Sequence, residues 1–175
     1  MKNRILIGAL ALLACAAVSV SNASASEWYD KAEVSQALDT HVSGIELSDG
    51  DVLGAYIGTT AGPVRVEAGV AHVNADLNFY GNSFDASAND YNAAAYLDTA
   101  SGLYVGAGVN YVQAEAQIGP GYTFEQSGFG WHASGGYAFR AAGGIVEVQA
   151  TYLSASLDDV DLTQTRATIG YRHAL

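Results

Sequence analysis

The chain has 175 residues, of which half are apolar and only 14% are charged, well below the roughly 25% of ordinary soluble domains. Its 18 acidic and seven basic residues give a net charge of −11, which argues against a nucleic-acid-binding protein, because such proteins carry a basic patch or stripe. Cys15 is the only cysteine, so an intramolecular disulfide framework and a Cys-x-x-Cys metal site are excluded.

The first 25 residues have the pattern of a secretory signal peptide. Lys2 and Arg4 precede a short apolar stretch at 5–13, and Ala23-Ser24-Ala25 fits a cleavage site. The apolar stretch is too short for a spanning helix. A lipoprotein lipidated at Cys15 is an alternative, which the bulky Leu13 disfavours. Cleavage near Ala25 leaves a mature domain, 26–175, in which five basic residues stand against 18 acidic ones, a net charge of −13.

The mature chain begins with a segment of uncertain type. Residues 31–41 are predicted to form a strand, although their alternation is weak, and an amphipathic helix over 27–38 is the alternative. A loop through Gly44 and Asp49-Gly50-Asp51 follows.

The rest of the chain is predicted to consist of hairpins. Tight turns at 60–63, 99–102 and 141–144 alternate with long polar loops at 81–90, 119–128 and 158–164. The predicted strands are 52–59, 64–79, 91–98, 103–117, 129–140, 145–157 and 165–175. Together with 31–41 they make eight, and short turns opposite long loops predict an all-β, eight-stranded antiparallel up-and-down transmembrane β-barrel.

Several of these strands have one face without charge. In 64–79 the apolar row of Val64, Val66, Ala68 and Val70 lies opposite Arg65 and Glu67. The apolar rows of 64–79, 103–117 and 145–157 end at His72, Gln113 and Ser154. They are about nine residues long, which at a tilt of ~40° spans about 23 Å, close to the ~25 Å apolar band of an outer-membrane barrel. A soluble barrel has the opposite polarity. Because arginine and glutamate beside small glycines suit a narrow lumen, we expect the apolar face to point outward.

The last strand runs to the final residue and carries the most specific motif. In this motif Thr168 is the polar residue and Gly170 the glycine. The two terminal positions, which are separated by one residue, are His173 and Leu175. In this motif and in its strand layout the chain resembles the small eight-stranded outer-membrane β-barrels of Gram-negative bacteria, the outer-membrane-protein-A-like and opacity-type proteins. Leu175 stands where that family's assembly signal has phenylalanine, and His173 where it has an apolar or aromatic residue. The resemblance implies insertion by the barrel-assembly machinery and an outer-membrane location, but no specific activity.

Six charged residues on the expected inward faces form the main candidate site. They lie near the short-turn end and are Arg65, Glu67, Asp98, Arg140, Glu147 and Arg172. An ion path or narrow channel is one interpretation. A salt-bridged plug is the favoured one, because buried charges persist only when they are paired and eight strands enclose a space that side chains can fill.

A hydrolase is a weaker alternative. His132, Ser134 and Glu147 supply a base, a nucleophile and an orienting carboxylate, in an arrangement similar to that of outer-membrane lipid A deacylases. Those enzymes have asparagine directly after the serine, where this chain has Gly135, and their pair faces the lipid. The alternation here instead turns Trp131 and Ala133 outward. We therefore expect no enzyme, no cofactor and no metal site.

The loops carry acidic residues and aromatic ones. Acids cluster at 46–51, 85–90 and 158–161, where solvation is the usual explanation and sharing of divalent cations with lipopolysaccharide phosphates is a second. Tyr80, Phe84, Tyr122 and Phe124 are candidates for contact with an external partner. The expected partners are outer-membrane lipid, lipopolysaccharide and the assembly machinery. A soluble periplasmic ligand-binding barrel is the remaining alternative.

Overall fold

The structure is a computed structural model that describes residues 27–43, 45–47, 50–79, 82–117, 123–158 and 160–175. Nearly all of these residues lie in strands. The strands are β1 (Glu27–Val42), β2 (Ile45–Leu47), β3 (Gly50–Ala61), β4 (Val64–Phe79), β5 (Asn82–Asp98), β6 (Leu103–Gln117), β7 (Thr123–Ala141), β8 (Gly144–Leu157) and β9 (Val160–Ala174). The signal peptide and the Cys15 alternative lie outside the described residues.

Each strand pairs antiparallel with its neighbours, and the sheet closes on itself. The order is β2-β1-β3-β4-β5-β6-β7-β8-β9, and β1 also pairs with β9 from Tyr29↔Ala174 to Val42↔Leu162. Because β2 pairs only with the last residues of β1 and β3 pairs with the rest, β2 and β3 together fill one position in the barrel. The predicted eight-stranded antiparallel barrel is therefore confirmed. Within the described ranges, no helix is long and apolar enough to cross a membrane.

The strands are longer than the sequence predicts. β1 is a strand from Glu27 onward, so the alternative of a helix over 27–38 is wrong for the described part of that segment. The loops predicted at 81–90, 119–128 and 158–164 are largely strand, since β5 begins at Asn82, β7 at Thr123 and β9 at Val160. Polar and glycine-rich sequence in these segments indicated loops, but it lies on the walls of a barrel that continues past the apolar band.

The polarity of the wall reverses along the barrel axis. Near the short turns the outward side chains are apolar and exposed, as Val105 (62%) and Ile169 (63%) show, whereas inward side chains such as Arg65 are charged. The opposite end of the barrel, where the sequence predicts long loops, is called the long-loop end. There the outward residues are polar and include Asn74, Asp85, Gln113, Glu115 and Glu125. The inward residues at that end are apolar and buried, and include Val52, Ala71, Val112, Leu153 and Leu157. The lower part of the barrel thus has the polarity suited to lipid, and the upper part that of a soluble barrel.

Candidate functional site

The charged lumen is built from residues at alternate positions of five strands, β1, β4, β5, β8 and β9. Successive side chains on a strand point to opposite faces, so Arg65 and Glu67 of β4 point inward together. The pairing of neighbouring strands then places charged residues at the same level, with Lys31 of β1 opposite Arg172 of β9. Arg172 is in turn paired with Ile145 of β8, two residues from Glu147.

Arg65 lies at the centre of this cluster and is completely buried. Its guanidinium contacts Glu67, and its Nε donates to Asp98 Oδ2 at 3.1 Å. Its Nη2 lies 3.5 Å from Glu147 Oε1. One arginine therefore contacts three carboxylates from three strands, β4, β5 and β8, which ties opposite parts of the wall together.

Lys31 and Arg172 complete the neutralisation of these acids. Lys31 Nζ lies 2.8 Å from Glu67 Oε2 and 3.3 Å from Glu33 Oε2, and Arg172 Nη2 lies 2.9 Å from Glu147 Oε1. Since Lys31, Glu67 and Arg172 are each more than nine-tenths buried, every one of these charges depends on its partners rather than on water.

Tyrosine rings surround the buried cations. The Arg65 guanidinium carbon is 4.1 Å from the centre of the Tyr96 ring and 4.8 Å from that of Tyr104, distances at which a cation is attracted to the ring face. The rings have room because glycines face them: a β-carbon at Gly106 would collide with the Tyr96 ring, and one at Gly136 with the Tyr104 ring. The alternation of tyrosine and glycine thus fills the lumen without widening the barrel.

A second polar cluster lies nearer the long-loop end. Arg166 Nη2 donates to Asp90 Oδ2 at 2.8 Å, and Asn110 Nδ2 donates to the other oxygen of the same carboxylate. His132 Nδ1 lies 2.6 Å from Asn110 Oδ1. All four side chains are buried, and together they form a linked row across β9, β5, β6 and β7.

An apolar cluster closes the lumen beyond the second polar cluster. It consists of Val112, Leu153, Ala155 and Leu157, with Ala88, Ala114, Val160 and Leu162 packed against it. Side chains of β6 and β8 approach across β7 because the inward positions of β7 between them are Gly128 and Gly130. The interior is therefore occupied by charge in its lower part and by apolar side chains in its upper part.

The structure brings together five of the six predicted network residues. Arg65, Glu67, Glu147 and Arg172 are buried in mutual contact, and Asp98 joins them with 29% of its side chain exposed. Arg140 has the inward parity, but it lies beside the turn at 142–143, is exposed, and takes part in no ion pair among the described residues. Arg140 therefore lies outside the network, because β7 extends there beyond Tyr137, the last of its residues that is paired with β6.

Four charged lumen residues were missed by the sequence analysis: Lys31, Glu33, Asp90 and Arg166. Tyr29, Lys31 and Glu33 alternate with outward residues, and this alternation predicts that they point inward. The charged outward residue Asp30 makes the alternation hard to recognise in the sequence. Asp90 lies at the end of a segment, 81–90, in which the sequence predicts a loop. Arg166 has the same parity as Thr168 and Arg172, so alternation within β9 could have placed it inward.

The residues of the hydrolase alternative do not assemble into a catalytic arrangement. Ser134 Oγ is 3.0 Å from Thr151 Oγ1, while His132 contacts Asn110 rather than Ser134. Both side chains are buried inside the barrel, whereas Trp131 and Ala133 face outward and are exposed. Among the residues that the structure describes, no group of three His, Cys, Asp or Glu side chains is placed to hold a metal ion.

The C-terminal motif lies on both faces of β9. Thr168 and Gly170 point inward and are buried, and Thr168 Oγ1 lies 2.7 Å from Ser35 Oγ. His173 and Leu175 point outward and are exposed, and the Leu175 amide donates to the Trp28 carbonyl at 2.9 Å. The terminal residue therefore takes part in the seam between β9 and β1 that closes the barrel.

No protein-family model matches the chain, and no curated protein matches its sequence. Solved structures do match. The crystal structure of Neisserial surface protein A (NspA) is similar over 87% of this chain and 100% of its own, at 17% identity and a TM-score of 0.68. Ail, the attachment invasion locus protein of Yersinia pestis, in complex with the heparin analogue sucrose octasulfate, covers 84% of this chain and 98% of its own, at 15% identity and a TM-score of 0.58.

A third match is the backbone structure of the outer-membrane protein Ail of Yersinia pestis in a phospholipid bilayer nanodisc, with 14% identity and a TM-score of 0.52. It covers 85% of this chain and 99% of its own. At these identities the similarity concerns the fold. In strand number, closure and extent, the chain has the fold of the small eight-stranded outer-membrane β-barrels.

Proposed function

We propose that this chain is an integral outer-membrane β-barrel protein with a closed lumen and a structural or surface-interaction role, and that it is neither an enzyme nor a channel. Residues 1–25 act as its signal peptide, and the C-terminal motif directs insertion by the barrel-assembly machinery. Residues 26–175 form the mature barrel in the outer membrane of a Gram-negative bacterium, with the short turns facing the periplasm.

The reversed polarity of the lower wall carries this proposal. Leu53, Val105 and Ile169 are each about 60% exposed on the outside, while Arg65 and Glu67 are sequestered inside. Exposing this apolar band to water would be costly, and a bilayer removes that cost. A soluble ligand-binding barrel requires the opposite arrangement, and it is therefore disfavoured.

The filled interior supports a closed barrel rather than a channel. A conducting path would have to pass the Arg65–Glu67–Glu147 ion pairs and then the apolar cluster around Leu153. Eight strands enclose a space that side chains can fill. We therefore interpret the lower charges as a structural plug that holds the strands in place.

An acidic rim supports a role at the surface. The outward positions near the long loops include the exposed acids Asp39, Asp51, Asp85, Glu115, Glu125 and Asp161. Lipopolysaccharide phosphates would approach this rim with divalent cations between the two sets of anions. Tyr80 and Tyr122, candidates for contact with an external partner, lie outside the described residues, and Phe124 is 49% exposed at the start of β7.

Fractionation combined with electrophoresis tests the proposal. The cleaved protein should be found in outer membranes, and in mild detergent it should migrate differently before and after boiling, because a closed barrel resists unfolding by detergent. In planar bilayers it should give no regular conductance steps. Recovery of the folded protein in the periplasmic extract would refute the membrane location, and a stable conductance would refute the closed lumen.

A further inference from the structure

A groove of about 770 Å³ runs across the outside of the barrel. One side of it follows a row of residues that pair across five strands, from β8 to β4. This row consists of Val146, Tyr171, Ala32, Ala55 and Val70. The groove exists because two adjacent strands present only a methyl group at the same level, Ala32 on β1 and Ala55 on β3.

The next row toward the long loops forms the other side of the groove. Ile169, Val34 and Leu53 line it, and their exposed fractions are 63%, 60% and 60%. The one acid among the lining residues, Glu33, has its side chain in the lumen, where it accepts a hydrogen bond from Tyr56 at 2.6 Å. The groove is therefore apolar along its length.

The groove ends in a polar pair. Leu53 is paired with His72, and His72 with Asn89; His72 Nδ1 lies 2.9 Å from Asn89 Oδ1, and both residues line the groove. His72 also marks the upper limit of the apolar row on β4. The other end, at Val146, lies close to the short turn between β7 and β8.

The groove therefore rises through the apolar band. From Val146 on β8 to Asn89 on β5 it crosses five strand spacings of ~4.8 Å, about 24 Å in all, and at a strand tilt of ~40° it rises on the order of 15 Å. Since Val146 begins the apolar row of β8 and His72 ends that of β4, the groove extends over most of the apolar band. An occupant would have a long apolar part and a polar part at the membrane boundary.

The strands on the other side of the barrel carry a row of aromatic rings at the upper end of the apolar band. There Tyr91, Tyr111 and Phe129 stand side by side on β5, β6 and β7, with ring centres 6.5 Å and 4.9 Å apart. Rings of this kind sit at the interface between lipid and water. The groove lies mainly on β8, β9, β1, β3 and β4, beside this row of rings and not beneath it.

We propose that this groove binds one acyl chain of an outer-leaflet lipopolysaccharide molecule. The chain lies over Ala32 and Ala55, and the amide or hydroxyl groups at its head exchange hydrogen bonds with His72 and Asn89. Lipopolysaccharide, rather than a phospholipid, is indicated because the polar end lies toward the long loops, the side that faces outward in the proposed function. The inference rests on that proposed function.

Retention of lipid in native mass spectrometry tests the groove. The full-length protein, purified in mild detergent and incubated with purified rough-type lipopolysaccharide or with phosphatidylethanolamine, is compared with Ala55→Phe. Ala107→Phe is the matched control, since Ala107 also faces outward between two alanines, Ala95 and Ala133. Retained lipopolysaccharide should fall by about tenfold in Ala55→Phe. A tenfold change corresponds to the burial of roughly two methylene groups, and a ring in the groove displaces more of the acyl chain than that.

His72→Leu tests the polar end without filling the groove. It should also lower retention, whereas Thr165→Leu, at an outward boundary position on β9, should not. Equal retention by Ala55→Phe and the parent protein refutes the site, as does a preference for phosphatidylethanolamine. Loss of a dimer in Ala55→Phe with unchanged lipid would assign the groove to a second copy of the chain instead. These outcomes are judged only for proteins that keep heat-modifiable migration, so that failure of the groove is distinct from failure of the proposed membrane barrel.

Discussion

Replacing Arg65 by alanine should destabilise the barrel without opening it. Arg65 is fully buried, and its removal leaves carboxylates that it now neutralises. Glu67 keeps Lys31 at 2.8 Å, and Glu147 keeps Arg172 at 2.9 Å, so the cost is smaller than the loss of every partner would imply. We expect a decrease of about 3–5 kcal/mol in the free energy of unfolding, the usual effect of breaking a buried ion pair from one side.

The measurement is equilibrium unfolding in urea or guanidinium in lipid vesicles, followed by tryptophan fluorescence. Arg140→Ala is the control, since it removes the same side chain from an exposed position beside a short turn, and it should change the free energy by less than about 0.5 kcal/mol. The double variant Arg65→Ala/Glu67→Gln should be less destabilised than the sum of its single changes, because the carboxylate left unpaired has then been neutralised.

Conductance supplies the second part of this experiment. In Arg65→Ala the rings of Tyr96 and Tyr104 and the apolar cluster around Leu153 remain in place, so we expect no stable current in planar bilayers. Equal stability of the Arg65 and Arg140 variants would show that the ion pairs do not hold the barrel together. A large stable conductance in Arg65→Ala would show that this side chain is a gate.

Three further predictions concern packing, membrane position and surface charge. Gly136→Ala should lower the yield of folded barrel, because its β-carbon would collide with the Tyr104 ring. Gly135→Ala should fold normally, because its β-carbon meets nothing closer than 3.7 Å. Heat-modifiable migration distinguishes the two variants. Val109→Arg should lower the free energy of unfolding by about 2–4 kcal/mol and Gln113→Arg by no more than about 1 kcal/mol, since Val109 lies within the apolar band and Gln113 at its boundary. Unfolding in lipid vesicles measures both changes. Equal losses would contradict the position assigned to the band. Sucrose octasulfate, which accompanies Ail in its crystal structure, should not bind this chain at physiological salt, because the outward rim is acidic; calorimetric titration that detects binding would contradict this.

The sequence predicts the architecture well, because alternation on a strand is a local property. The rows beginning at Val64, Leu103 and Val146 each show which residues share a face, and the three tight turns lie where the sequence places them. Arg65, Glu67 and Glu147 therefore fall on inward faces before any contact between them is known. What alternation cannot supply is the level of each strand relative to its neighbours.

Missing register explains the errors in the candidate site. Arg140 and Arg172 both have inward parity, but Arg172 lies opposite Lys31, whereas Arg140 lies beyond Tyr137, where the pairing of β7 with β6 ends. The sequence around Asp90 predicts a loop because the outward residues that follow the apolar band are polar. The contact between Asp90 and Arg166, on strands that are not neighbours, could not be predicted from either strand alone.

The reversal of polarity accounts for both the low charge of the chain and where its charge lies. Where the outside is apolar, ion pairs and tyrosine–cation contacts fill the lumen. Four of the five Lys and Arg residues of 26–175 are buried there: Lys31, Arg65, Arg166 and Arg172. Where the outside meets water, the hydrophobic effect applies again and Val112, Leu153 and Leu157 form a core. Rim acids such as Asp51, Asp85 and Glu115 form no ion pair with lysine or arginine among the described residues. We therefore expect divalent cations to mediate any contact of the proposed rim with an anionic leaflet.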